Sequence, residues 1–153
     1  MIRVGLISDT HGLMRPEALD ALAGVAHIVH AGDIGSAEIL AQLRTIAPVT
    51  AVRGNNDRQP WAKGIAEHEV VQIAGKSIYV LHDLKELDLD PVAAGFAVVV
   101  TGHSHKPSIA TKDEVLFVNP GSAGPRRFSL PICVATLELE GDAVRAEIRE
   151  LSL

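Results

Sequence analysis

Three observations predict an α/β fold for this chain. Short runs of Val, Ile, Leu and Ala alternate with helical stretches through its first half, the pattern of βαβ units with parallel strands. Hydrophobic residues make up 47% of the 153, yet only three Phe, one Trp and one Tyr are present, so the core must be aliphatic, as in sheets buried on both faces. Finally, Asp, Asn and His residues follow directly on the apolar runs, at the carboxyl ends of strands where α/β sheets gather their functional loops.

Taken in order, Ile2-Ile7 reads as the first strand and is followed by Asp9-Thr10-His11. Pro16 opens a helix reaching Leu22, because its fixed φ suits a first helical turn. His27-Ala31 is the second strand and leads to Gly32-Asp33; Ser36 is positioned to cap a helix over Ala37-Arg44. Pro48-Val52 is the third strand and leads to Gly54-Asn55. The pattern then changes. Glu69-Ile73 and Lys76-Leu81, joined by Ala74-Gly75, read as a β-hairpin running into His82. A short helix is expected within Leu87-Ala94, and short buried strands at Ala97-Thr101, before Gly102-His103-Ser104-His105, and at Val115-Asn119. Ile132-Glu138 and Ala143-Arg149, around Glu140-Gly141-Asp142, form a closing hairpin, so parallel pairing is expected to give way to antiparallel pairing. With no repeat, linker or low-complexity segment, one domain over residues 1–153 is expected.

A net charge of −5 argues against stable nucleic-acid binding, which needs many Lys and Arg facing phosphates. An anionic substrate remains compatible, since bound cations invert the local field. The single cysteine, Cys133, lies in the apolar run Leu130-Leu137 and reads as a small buried hydrophobe; it excludes an internal disulfide and a multi-cysteine zinc cage. No basic-then-apolar leader and no run of ~18 apolar residues is seen, so a cytoplasmic protein with no membrane attachment is expected. A homo-oligomer is compatible with this composition.

Asp9 and His11 stand two residues apart, which in extended backbone turns both side chains to one side; His103 and His105 repeat the spacing. Either pair alone is a weak signal, since capping aspartates and surface histidines produce it too. Joined by Asp33, Asn55 and His82, all directly after strands, the seven read as a pair of metal sites. The donors are carboxylate, amide and imidazole without thiolate, which suits Mn, Fe, Ni, Co or Zn. Glycine precedes Asp33, Asn55 and His103, as expected where backbone turns sharply or approaches a ligand closely.

The ordered set D-x-H, G-D, G-N-x-D, a lone His, G-H-x-H and N-P-G-S at Asn119-Ser122 resembles the calcineurin-like metallophosphoesterases, in particular the small single-domain phosphodiesterases of bacteria and archaea. The resemblance runs from Asp9 to about Ser122. It implies a four-layer α/β/β/α sandwich of two mixed β-sheets. It also implies that Asp9, His11 and His105 hold one metal, that Asn55, His82 and His103 hold the other, and that Asp33 bridges them. The cofactors would be two divalent ions, manganese first, with iron, nickel, cobalt or zinc as alternatives. The activity implied is a phosphodiesterase in which a metal-bridging hydroxide attacks a small phosphoester in line, nucleotides among the candidates. Charge counting agrees: two divalent ions carry four positive charges, of which Asp9 and Asp33 offset two. A phosphomonoesterase is the nearest rival. From another class comes a protein-interaction scaffold like the retromer subunit of this fold, with a vestigial metal site; the complete ligand set favours catalysis.

Two departures from the family pattern bear on mechanism. Many relatives carry His after the Gly-Asn pair, placed to protonate the leaving group, whereas this chain has Asn56, an amide that cannot act as an acid near pH 7. Asn56 and Asp57 are therefore assigned to the catalytic set, with Asp57 as an orienting group, and Asn56 and Arg58 to substrate binding; Arg126 and Arg127 are further phosphate candidates. After His82, Asp83 stands where relatives continue with Gly and a further His, adding negative charge beside the site. His30 is expected to pack beneath the site or brace it, His27 and His68 to end elements, and Trp61 to cap the core.

Overall fold

In the computed structural model, which describes residues 1–153, ten strands form two five-stranded sheets stacked face to face. The first sheet has the order β10 (Ala143–Glu150), β9 (Cys133–Glu140), β1 (Ile2–Ile7), β2 (His27–His30), β3 (Val49–Ala51). The second has the order β4 (His68–Ile73), β5 (Lys76–Leu81), β6 (Phe96–Val100), β8 (Val115–Asn119), β7 (Ser108–Lys112). Both are mixed. β1, β2 and β3 run parallel, as do β5, β6 and β8, while β9, β10, β4 and β7 pair antiparallel.

Strand alternation sorts the aliphatic residues into two layers. Val4, Leu6, Val29, Ala135 and Leu137 of the first sheet face Ile78, Val80, Val98, Val100 and Val118 of the second, and these residues form the inter-sheet core. The intervening positions Ile7, Ile28 and Val134 face outward and are covered by α1 (Pro16–Ala21) and α2 (Ala37–Arg44) through Ala18, Ile39, Leu40 and Leu43. Trp61 packs against this second core, in its expected capping role, and Cys133 is fully buried. The outer face of the second sheet carries a thinner cover, a 3₁₀ turn at Leu84–Glu86 and the single-turn α3 (Pro91–Ala94). There Tyr79 stacks on Phe96, with centroids 4.9 Å apart. No helix is long and apolar enough to cross a membrane.

The differences from the sequence reading have local causes. The helix expected within Leu87-Ala94 is confined to α3: Asp90 caps it by accepting the Val92 N–H, and Gly95 at φ 79° ends it after one turn. β7 has no counterpart in the reading. All five of its residues are exposed at a sheet edge, so no apolar alternation marks it. Ser36 holds the N-cap position of α2 in extended backbone, but its hydroxyl makes no capping hydrogen bond. The expected shift to antiparallel pairing holds for the two hairpins, β4–β5 and β9–β10, and for β7–β8 and β1–β9, but β6 pairs parallel with both β5 and β8.

Candidate metal centre

The two parallel triplets of strands end at one edge of the sandwich. β1 delivers Asp9 and His11, β2 delivers Asp33 and β3 delivers Asn55; β5 delivers His82, β6 delivers His103 and His105, and β8 delivers the N-P-G-S turn. The loops are stitched to one another by backbone: Asp9 N–H donates to the Gly32 carbonyl, His11 N–H to that of Asp33 and Gly102 N–H to that of His82. Five of the nine non-glycine residues in the left-handed region are candidate ligands, namely Asp9 (φ 55°), His11 (48°), Asp33 (56°), His103 (71°) and His105 (62°). Asp, Asn and His tolerate that region better than most residues. Strain concentrated in this way marks a surrounding structure that fixes these side chains at a functional edge.

The side chains converge on two carboxylate oxygens. Asp9 Oδ1 lies 3.4 Å from His105 Nε2, 3.8 Å from His11 Nε2 and 3.9 Å from His82 Nε2. Asp33 Oδ2 lies 3.2 Å from His82 Nε2 and 3.7 Å from His11 Nε2, between imidazoles from the two sheets. Asp9, His11 and His105 form one group of donors close enough to share an ion, and Asp9, Asp33 and His82 form another. The glycines make the approach feasible. A Cβ on Gly54 would collide with the Asp33 carboxylate, and one on Gly102 would collide with Ser8 Oγ and stand 2.8 Å from Asp9 Oδ2.

Fixed hydrogen bonds aim these donors. Asp9 Oδ2 accepts from Ser8 Oγ (2.7 Å) and from the His103 N–H (3.1 Å), which leaves Oδ1 facing the imidazoles. His82 Nδ1 lies 2.7 Å from the Ala31 carbonyl, an acceptor only, so Nδ1 carries the proton and Nε2 turns to the carboxylates. Asp33 accepts the Asn56 N–H at Oδ1 (3.0 Å) and the Asn56 side-chain amide at Oδ2 (3.2 Å). Beneath them His30 is fully buried: its Nε2 meets Thr10 Oγ1 at 3.0 Å, and its Nδ1 accepts the Gly32 N–H. It therefore braces the first two loops.

The electrostatics split the donors by role. Burial raises the Asp9 carboxyl above its ordinary range, more than His82 and Ser8 lower it. Burial would raise Asp33 too, but the His82 imidazole and the Asn56 N–H outweigh it and hold Asp33 well below the usual carboxylate range. His82 is raised, since Asp33 and Asp9 outweigh its desolvation, so this pair of acids favours positive charge between them. Burial, with Arg127 and His11 nearby, lowers His105 to about 4, and burial lowers His30 to about 3. Both are neutral near pH 7, the form in which an imidazole ligates metal.

Other expected residues take different places. His103 is half exposed, edge-on to His82 with centroids 5.2 Å apart and with Nε2 3.8 Å from Asp83 Oδ2, so it completes neither donor group. Asn55 is exposed on the wall of the same cavity as His103. Asp57, counted with the catalytic residues on sequence, is buried with its carboxylate engaged by three backbone N–H groups, of Ile34, Gly35 and Gly54. It ties the Asp33 loop to the Asn55 loop, which is a positioning role. Asn56 is likewise engaged with Asp33. Arg58 Nε donates to the Asn55 carbonyl and Arg126 to that of Leu130, while Arg127 is near enough to His105 to act on it. Sequence reasoning missed Ser8, Thr10 and the clamp formed by Asn119 and Ser122. Asn119 Nδ2 donates to the Gly102 carbonyl and Ser122 Oγ to that of Asp9, so the N-P-G-S turn binds the first and fifth site loops together. That turn stood out as a motif; what it holds did not.

A bound cation fits this arrangement. Asp9 Oδ1 and His82 Nε2 are buried without hydrogen-bond partners, and both belong to the convergent set. An uncompensated buried carboxylate oxygen costs free energy that coordination removes. Comparison with known proteins gives the same direction. The family model described as the calcineurin-like phosphoesterase superfamily domain matches residues 2–142. A probable metallophosphoesterase of Methanothermobacter thermautotrophicus is 37% identical over 157 residues, covering 95% of this chain and 90% of its own. A phosphodiesterase of Methanocaldococcus jannaschii is 26% identical, with 99% of each chain covered. Among solved structures, wild-type Vps29 of Entamoeba histolytica complexed with Zn2+ superposes with a TM-score of 0.75 at 24% identity, covering 97% of this chain and 99% of its own.

Proposed function

Because the chain belongs to the calcineurin-like phosphoesterase superfamily, we propose that it is a phosphodiesterase acting on a small phosphoester at two divalent cations. The observation that carries this reading is the pair of buried carboxylates, Asp9 and Asp33, each facing imidazoles from both sheets. Asp9, His11 and His105 would hold one ion. His82, with Asn55 and His103 brought in from the cavity wall, would hold the other, and Asp33 would bridge. When bound, such a pair, with manganese the first candidate, supplies a water of lowered pKa and positive charge for the phosphate oxygens.

The chain's own residues do the rest. Asn56 fixes the Asp33 carboxylate through two hydrogen bonds, and the Ala31 carbonyl fixes the His82 tautomer. Arg58, in the cavity lining with His82 and His103, and Arg127, near His105, supply guanidinium groups to phosphate oxygens. No imidazole stands at position 56 to protonate the departing alkoxide, so esters whose alcohols leave as stable anions are favoured. A diester suits the site better than a monoester, because Asp83 beside His103 repels the second charge of a monoester dianion.

The relation to Vps29 motivates a second reading, a scaffold that binds metal without turnover. Metal binding alone does not separate the two. Hydrolysis of bis(4-nitrophenyl) phosphate with added manganese does. Wild type is expected to turn it over, and Asp33→Ala to lose that activity while keeping its circular dichroism spectrum. An inert wild type supports the scaffold reading; an Asp33→Ala variant as active as wild type removes Asp33 from the centre.

A further inference from the structure

Beside His82 and His103 lies a cavity of about 290 Å³ in which Arg53, Glu67 and Glu86 have no role among the assignments above. No hydrophobic residue lines it. Ligand sites are ordinarily ~300–1,000 Å³ and lined mostly by apolar and aromatic side chains, so this one is small and of unusual chemistry. Its walls mix donors with acceptors: Arg53, Arg58 and Asn55 offer N–H groups, and Glu67, Asp83 and Glu86 offer carboxylates. Arg53 bridges the two kinds, with Nη2 3.3 Å from Glu67 Oε1 and with Nε buried and unpartnered.

We infer that this cavity takes the second ester arm of the substrate, and that the arm is a small polyhydroxylated alcohol. The inference rests on the phosphodiesterase reading above. The cavity's place supports the first half: Asn55, His82 and His103 are among its lining residues, so whatever fills it lies near the proposed second ion and the phosphorus. Its chemistry supports the second half. A hydroxyl both donates and accepts, and matches walls that alternate guanidinium with carboxylate. A nucleobase would require an aromatic or apolar face to stack on, which this cavity lacks. The exposed Phe128 lies outside it. A quaternary ammonium group would require an aromatic cage. A second phosphate would meet three carboxylates, and an alkyl arm would desolvate all six polar side chains without satisfying any.

Three 4-nitrophenyl phosphodiesters, with ethyl, 2,3-dihydroxypropyl and thymidine-5′-yl second arms, share one leaving group and differ only in what the cavity must hold. Assayed with the manganese-loaded full chain, kcat/KM is expected to favour the dihydroxypropyl ester over the ethyl ester by roughly tenfold, the value of one or two satisfied hydrogen bonds. Glu86→Leu and Glu67→Leu, at exposed positions, are each expected to bring that ratio towards one. Equal turnover of the ethyl and dihydroxypropyl esters, or preference for the thymidine ester, overturns the inference and leaves the phosphodiesterase reading standing. A ratio unmoved by both variants also overturns it, since the selectivity would then arise elsewhere. Absence of turnover with all three esters removes the phosphodiesterase reading and this inference with it.

Discussion

The two halves of the centre are built to different tolerances. On one side Asp9, His11 and His105 have converged: Asp9 and His105 are buried, and the His11 and His105 Nε2 atoms face each other at 3.3 Å. On the other side His82 meets Asp33 and Asp9, while His103 is half exposed and Asn55 stands on the open wall of the polar cavity. The converged half sits where the N-P-G-S clamp meets the Asp9 loop; the open half sits where substrate would enter. If the centre holds two ions as proposed, the first has its whole donor set in place, whereas the second has Asp33 and His82 in place but not Asn55 and His103. Preorganisation is concentrated where it costs no access.

That contrast predicts unequal consequences for two histidines of one motif. His105→Ala removes a buried donor from the converged half and is expected to reduce manganese affinity at the tighter site beyond the ~10–100-fold typical of losing an outer-shell partner. Activity should vanish with it. His103→Ala removes a donor still outside the cluster, so the tighter site should persist and only the weaker binding step should fade. Isothermal titration of each variant with manganese reads both steps. Equal losses at the tighter site, or a larger one for His103→Ala, would show that the halves are not graded as described.

The open half still needs its backbone fixed, and Asp57 does this. Its carboxylate joins the Asp33 loop to the Gly54 loop through three N–H groups. Asp57→Ala would leave the buried Ile34 N–H without an acceptor and the Gly35 and Gly54 N–H groups to solvent, so a loss of ~1–3 kcal/mol in folding stability is expected by urea denaturation. The Asp57→Asn variant keeps an acceptor oxygen and should recover part of it. If both unfold like wild type, the open half is supported by something other than this carboxylate.

How much of this was legible in the sequence follows the same division. The strands β1, β2, β5 and β8 announce themselves because each is an apolar run ending in a site residue, and the aspartates and histidines after them read as ligands by type and spacing. β7 was illegible because an exposed edge strand carries no burial pattern. The parallel return of β6 and β8 was illegible because short buried runs do not encode their partners. Within the site, the convergence of Asp9, His11, Asp33, His82 and His105 was readable, whereas the outlying places of Asn55 and His103 and the bonds that hold the loops were not. Nothing local to Asp57 says that its oxygens go to backbone 22 to 23 residues away, or that Ser122 reaches Asp9. His30 lies between these cases: its place at the end of β2 pointed to packing beneath the site or bracing it, and it is buried with two hydrogen bonds to the first two site loops.

The smallest expected effect bears on the junction of the halves, where Asn56 grips the Asp33 carboxylate. Asn56→His would supply an imidazole able to protonate a leaving alkoxide, a contribution typically worth ~10²–10⁴ in rate when well placed. The same change removes one of the two donors that hold Asp33, so turnover of an activated ester, which needs no acid, should fall. The two effects oppose each other for a poor leaving group and not for a good one. The ratio of alkyl to 4-nitrophenyl diester hydrolysis should therefore rise, by an amount smaller than general acid catalysis alone would give, while the backbone N–H of residue 56 continues to hold Asp33. A ratio that stays constant while both rates fall would mean that position 56 acts only through Asp33, and that the acid in this chain comes from elsewhere in the site.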